Sequence, residues 1–218
     1  MVTLAKENYL KAILSLSMCT DGKVSTNAIA DELDTSAASV SDMLKKLKEE
    51  KLIKYQKYKG LELSKKGYNL AISIMRKHRL WETFLVEKLS FNWSEVHDIA
   101  EQLEHIKSNK LINKLDHYLN YPKFDPHGEP IPTQTGKIPK NNTIALDKLK
   151  TKAKGTIMGV TIDEKPFLNY LTKLKITIGT KISLLEKFDF DQSLNIKVDD
   201  AVLHISKDVA KHILIKKE

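Results

Sequence analysis

Only one cysteine, Cys19, occurs in the 218 residues. Without a second thiol the chain can close no disulfide of its own, and a Cys-rich zinc site is excluded. Cys19 is expected to pack as a small apolar residue near a helix end. No apolar run approaches the roughly 20 residues that span a bilayer. The opening residues Met1 to Asn8 also lack the apolar core of a signal peptide. These absences imply a soluble, cytoplasmic protein with no membrane partner. Catalytic signatures are missing as well. The chain contains no Glu-x-x-His of di-iron helices, no His-Glu-x-x-His of metalloproteases and no Gly-x-Ser-x-Gly elbow. An enzyme is not expected. Proline is scarce and uneven: five of the six lie within residues 121–142, among polar residues with Gly128 and Gly136. That stretch reads as a connector.

Charge is what the chain has in excess. The formal net charge is +8, and it is unevenly spread. Residues 45–66 hold nine Lys against three acidic residues, whereas residues 1–44 hold three Lys against six. Solubility alone gives no reason for such clustering; contact with a polyanion does.

The local pattern agrees. Residues 4–18 form an amphipathic helix broken by Asp21-Gly22. Ser25 caps a second helix, Thr26 to Leu33, and Asp34-Thr35-Ser36 makes a polar turn. A third, basic helix runs from Ala37 to Glu50 with Val40, Leu44 and Leu47 inward. Two short helices with a tight turn match a helix-turn-helix. Ile53 to Lys57 and Leu61 to Leu63 then alternate as a lysine-tipped hairpin, the wing. Ser36, Ser39, Ser41 and Asp42 open the third helix and are the candidate base-edge readers, although short hydroxyls discriminate weakly. Thr26, Lys45, Lys46, Lys57 and Lys59 are better placed for phosphates.

Residues 64–120 are expected to be helical apart from a break at Asn92-Trp93-Ser94, with Ser94 capping a 95–107 helix. They carry a concentrated ligand set: His78-x3-Glu82, then His97-x3-Glu101-x2-Glu104-His105. At about 100° per residue, the last four share one helical face, and His78 and Glu82 share another. Imidazole and carboxylate on one face suit a divalent first-row metal. His117, His127, His204 and His212 have no ligand companions at helical spacing. Trp81 and Trp93 read as core or interface. The apolar residues Ile72, Met75, Leu80, Phe84, Leu85 and Leu89 exceed what a solitary helical hairpin buries, which implies a subunit interface. A metal-gated DNA-binding protein follows.

The overall expectation is a mainly α chain with small β parts. A winged helix-turn-helix occupies residues 1–72, and a helical metal-binding and dimerisation domain occupies 73–140. A linker, 141–155, leads to an SH3-like β-barrel at 156–218. Strands are expected at 156–160, 180–185, 194–198, 201–205 and 209–215, with a helical patch at Pro166–Leu174.

Three motifs carry a resemblance to a known family: Arg76-Lys77-His78-Arg79-Leu80-x-Glu82-x-Phe84-Leu85, Glu95-Val96-His97-Asp98-x-Ala100, and Leu103-Glu104-His105. The connector Asp125-Pro126-His127-Gly128-Glu129-Pro130-Ile131-Pro132 adds a fourth. With these the chain resembles the diphtheria toxin repressor family of metal-dependent transcriptional regulators over nearly its whole length. The resemblance implies a homodimer on a double-stranded palindromic DNA operator, and two metal sites. The primary site would use Asn8, Glu101, Glu104 and His105. The ancillary site would use His78, Glu82, His97 and Asp163 from the barrel. Pro166 stands where the family has a glutamine, and it cannot ligate through its side chain.

Oxygen ligands at Glu101 and Asn8, where the iron-sensing branch has sulfur, point to Mn(II) first and Fe(II) second. The manganese branch carries Asp where this chain has Asn8 and Glu where it has Lys11, so Lys11 is an unfavourable charge if it points inward. Without metal the carboxylates are expected to crowd and the Asn8 end of the first helix to have nothing to hold it. The competing reading is a winged-helix regulator whose metal sites are structural or degenerate and whose DNA binding is metal-independent.

Overall fold

The computed structural model describes residues 3–19, 24–56 and 60–218. Cys19's side chain, the Asp21-Gly22 break and the hairpin residues Lys57 and Lys59 lie outside what is described. The chain divides into two compact units. The first comprises residues 1–78, 103–109 and 132–137; the second comprises 79–102, 110–131 and 138–218. Among the described residues no helix is long and apolar enough to cross a membrane.

In the first unit, helix α1 spans Leu4–Cys19 and buries Leu10, Ile13 and Leu14. Helix α2, Thr26–Glu32, starts where Ser25 accepts a hydrogen bond from the Ala28 amide at 3.1 Å. Helix α3, Ala37–Glu49, is capped in the same way, with Ser36 accepting from the Ser39 amide at 3.1 Å. Such caps satisfy amides that have no partner in the first turn. Val40, Leu44 and Leu47 are buried as their spacing requires. Strands β1 (Ile53–Gln56) and β2 (Gly60–Leu63) pair antiparallel, Ile53 opposite Leu63, and Val24 adds an isolated bridge to Leu61. This is the winged helix-turn-helix. Ser64 caps the long helix α4, Lys65–Leu89, by accepting from the Gly67 amide at 3.0 Å. Gly67 is required there, because a Cβ would sit 2.0 Å from the Leu52 carbonyl oxygen.

In the second unit the remainder of α4 leads to α5, His97–Leu103, and α6, Asn109–Tyr118. The sequence predicts a helix over 95–107; the structure has only seven residues of it. Ser94 does not cap it, because the helix starts only at His97 and the Ser94 hydroxyl points to Asn92 Oδ1 at 3.1 Å and Asn169 Oδ1 at 2.9 Å. Glu104 and His105 therefore lie in the turn beyond the helix, so the four-ligand face is not realised on one helix.

Six antiparallel strands form the barrel in the order β3-β8-β4-β5-β6-β7. They are β3 (Ile144–Ala145), β4 (Lys154–Val160), β5 (Lys181–Lys187), β6 (Leu194–Val198), β7 (Ala201–Ile205) and β8 (Ile213–Lys217). Helix α7, Lys165–Lys173, begins at Pro166, whose missing amide costs nothing in a first turn. Ile157, Ile182, Leu184, Ile196, Ile205 and Ile215 alternate inward into one core.

Two boundaries differ from expectation. Residues 144–149 are not a free linker: β3 pairs with β8, and Leu146 and Leu149 are buried in the barrel core. Residues 207–210 form a short helix α8, not a strand, because Ser206 accepts from the Val209 amide and nucleates a turn. Burial also corrects the interface reading. Ile72, Met75, Leu80 and Leu85 are buried within the chain, whereas Leu89, Leu111, Tyr118 and Tyr121 of the second unit stay exposed.

Candidate metal centre

The first unit brings Asn8, Glu104 and His105 into one body, with His78 at the end of its share of α4. Glu104 is fully buried. Its Oε2 accepts from Lys11 Nζ at 2.7 Å and lies 2.7 Å from His78 Nδ1. Burial by itself would raise the Glu104 pKa, but the His78 hydrogen bond and the Lys11 charge outweigh it. The carboxyl is held below its usual range. The other oxygen, Oε1, is buried with no hydrogen-bond partner, as is Asn8 Oδ1. His105 turns Nδ1 to Glu7 Oε2 at 2.6 Å and leaves Nε2 3.9 Å from Glu104 Oε1.

Buried polar atoms without partners are costly and rare. Glu104 Oε1, left open 3.9 Å from the His105 imidazole, and Asn8 Oδ1 in the same unit are hard oxygen donors of the kind that suits a divalent cation of the Mn(II) or Fe(II) type. One expectation is overturned here. The first helix is not left unheld, because Glu7 and Lys11, one turn apart on α1, bind His105 and Glu104.

The second unit gathers ligands around Glu82, which is 1% exposed. His97 Nδ1 lies 2.9 Å from Asp163 Oδ2 and 3.6 Å from Glu82 Oε1. The Asp163 carboxylate beside it, then that of Glu82, raises the His97 pKa to about 10, against its burial. His97 in turn holds the Asp163 carboxyl below its usual range. Glu101 pairs with His97 at 3.7 Å, and Pro166 sits in the first turn of α7.

Sequence spacing missed two further residues. Asp125 and His127 are buried, and with Glu82 they place ligand atoms within 4.8 Å of one another. His127 Nε2 lies 2.8 Å from the Trp93 carbonyl oxygen, and its ring stacks on Trp93 at 6.1 Å. Burial would lower its pKa, but Glu82 and Asp125 win and raise it to about 9. Asp125 Oδ1 accepts from the His127 and Glu129 amides at 2.8 and 3.0 Å, folding the connector back on itself. Gly128, at φ +85°, admits the Met158 carbonyl where a Cβ would lie only 2.0 Å away. The one available signal was Asp-x-His in a proline-rich stretch, with no helical period to expose it.

A pH dependence follows for the second unit with chelator present. The His97 pKa is raised, so its pairing stabilises fully below pH 6.5 and is lost as pH rises through about 10. His97 is 41% exposed, so solvent screens the effect and keeps it small. The melting-temperature difference between wild type and His97→Gln should be largest near pH 6.5 and shrink toward pH 10. A difference constant across that range would refute the pairing.

Helix α3 presents Ser36, Ser39, Ser41, Asp42, Lys45 and Lys46 on an exposed surface, and Thr26 opens α2, half-buried. Several of these are locally engaged. Ser36 caps α3, Ser41 donates to the Ala37 carbonyl at 2.9 Å, and Asp42 pairs with Lys45 at 3.0 Å. Such bonds orient side chains and leave hydroxyl lone pairs available.

Comparison with known proteins agrees with this architecture in all three parts. Residues 1–61 match the iron dependent repressor N-terminal DNA binding domain. Residues 64–133 match the iron dependent repressor metal binding and dimerisation domain, and residues 144–217 match the FeoA domain. The iron-dependent repressor IdeR of Mycobacterium tuberculosis is 39% identical over 127 residues, 58% of this chain and 54% of that protein. The chain thus spans about half the length of the mycobacterial relatives it matches. The diphtheria toxin repressor of Corynebacterium glutamicum is 30% identical over 194 residues, 83% of each chain. A solved manganese-dependent transcriptional repressor in complex with manganese superposes with a TM-score of 0.88 at 30% identity, covering 98% of this chain and 100% of its own. The chain belongs to the diphtheria toxin repressor family of metal-dependent transcriptional regulators.

Proposed function

We propose that this protein is a cytoplasmic, metal-activated repressor that binds a palindromic DNA operator as a homodimer, with Mn(II) the preferred activator and Fe(II) second. The observation that carries this reading is the pair of buried, unpartnered oxygens, Glu104 Oε1 and Asn8 Oδ1, in the same unit as a winged helix-turn-helix. Glu104, Asn8 and His105 would hold the primary ion with Glu101. Glu82, His97 and Asp163 would hold the ancillary one with His78, and Asp125 and His127 are further candidates beside Glu82. A bound cation supplies the positive charge that draws carboxylate, amide and imidazole donors from separate segments together.

The protein's own residues do the rest. Glu7 and Lys11 connect α1 to the Glu104–His105 turn, so the state of that turn would be felt by the helices of the DNA-binding unit. In the dimer the two α3 helices would address half-sites about 34–36 Å apart. Ser36, Ser39, Ser41 and Asp42 would face the bases, and Thr26, Lys45, Lys46, Lys57 and Lys59 the phosphates. The exposed Leu89, Leu111, Tyr118 and Tyr121 offer apolar surface for dimerisation. The alternative, metal-independent binding, is separated by one experiment. A duplex selected from random DNA with Mn(II) present is titrated with protein in Mn(II), Fe(II) or chelator. Tight binding with metal and loss in chelator are expected. Equal affinity in all three refutes metal gating.

A further inference from the structure

One turn of α1 presents a carboxylate, an amide and an ammonium in sequence. Glu7 and Lys11 are four residues apart and share a helical face, with Asn8 beside them. Glu7 meets His105, Lys11 meets Glu104, and Asn8 Oδ1 is left open. We propose that Lys11 is a resident counter-cation: it clasps α1 to the Glu104 turn without metal, and a divalent ion must compete with it for Glu104. This rests on the metal-activated reading above.

The geometry supports competition rather than a surface pairing. Lys11 is 16% exposed and Glu104 is 1% exposed at the side chain, so the pair sits largely out of water, where charges interact strongly. Glu104 Oε2 already has two partners, Lys11 Nζ and His78 Nδ1. Only Oε1 remains open, and an ion bound to it would share the carboxylate with the ammonium. Burial holds the Lys77 ammonium on α4, 8% exposed, below its usual pKa, while the charges of Glu7 and Glu104 favour its charged form. The consequence is twofold. The metal-free chain already holds the α1 clasp, and the metal concentration needed to occupy the site is set upward by Lys11.

The test uses the full chain, with MnCl2 as the probe, by titration calorimetry and by thermal melting in chelator. Lys11→Met removes the charge and keeps the length. It should tighten Mn(II) binding about tenfold at the site that Glu104→Gln abolishes, and lower the metal-free melting temperature. Lys11→Arg keeps the charge and should stay within about twofold of wild-type affinity. It also guards against a Lys11→Met variant that fails to fold. Unchanged or weaker Mn(II) binding in Lys11→Met, or an equal gain in Lys11→Arg, overturns the proposal while leaving metal activation standing. No Mn(II) uptake by wild type overturns metal activation and this proposal together.

Discussion

Replacing Glu104 with Gln is expected to lower Mn(II) affinity about 100-fold or more and to remove metal-dependent operator binding, with the protein still folded. Gln has the same size, so the fully buried site keeps its packing. What changes is charge. The carboxylate that would bind the ion becomes neutral, and Lys11 loses its counter-charge. That ammonium is only 16% exposed, and weakening its pairing with Glu104 should cost about 1–3 kcal/mol of stability. Ala in place of Gln would also open a cavity and remove the contact to His78 Nδ1, so its stability loss should be larger. The readouts are calorimetry with MnCl2, operator titration, and circular dichroism to establish the fold. A Glu104→Gln protein that responds to Mn(II) like wild type would show that the Glu104 carboxylate charge is not what holds the ion.

Arg79→Met should destabilise the second unit by about 2–4 kcal/mol. Arg79 is 6% exposed at the side chain and holds the connector from inside. Its Nε and Nη2 both donate to Glu129 Oε2, at 3.1 and 2.8 Å, and its Nη1 donates to the Pro130 carbonyl at 2.7 Å. It also lies 3.7 Å from Asp125 Oδ2, which has no hydrogen-bond partner. Without Arg79 the Asp125 carboxyl, whose pKa burial pushes up to about 8, loses a neighbouring cation and the half-buried Pro130 carbonyl loses its donor, which costs more than an exposed pair. Urea unfolding followed by tryptophan fluorescence reads this directly, because Trp81 and Trp93 both belong to this unit. A shift below about 1 kcal/mol would mean that Arg79 is only packing.

The helix-turn-helix was legible because its signals are local. Ser25 and Ser36 sit where caps belong, and Val40, Leu44 and Leu47 repeat at the period of one helical face. The inward alternation of Ile157, Ile182 and Ile196 marked barrel strands for the same reason. Helix α5 was not legible at its ends. The potential cap Ser94 bonds to Asn169, 75 residues away, and no local rule anticipates that competitor. His127 was set aside because no ligand stands at helical spacing from it, yet folding brings Glu82 to it across the chain. Leu146 and Leu149 looked like linker because a few apolar residues in a polar, lysine-rich stretch show no sustained period.

Residue identity and spacing by themselves determined the three-part order, the winged helix, the barrel and the types of atom offered to a metal. All of these arise from interactions within a few residues or from side-chain chemistry. Tertiary structure alone decided how those atoms are partnered. Lys11 and Glu104 are 93 residues apart, as far beyond local reach as His105 and Glu7. Which carboxylate oxygen is satisfied and which is left open depends on how α1 docks. That docking is a matter of packing and desolvated charge, which no single stretch of the chain encodes.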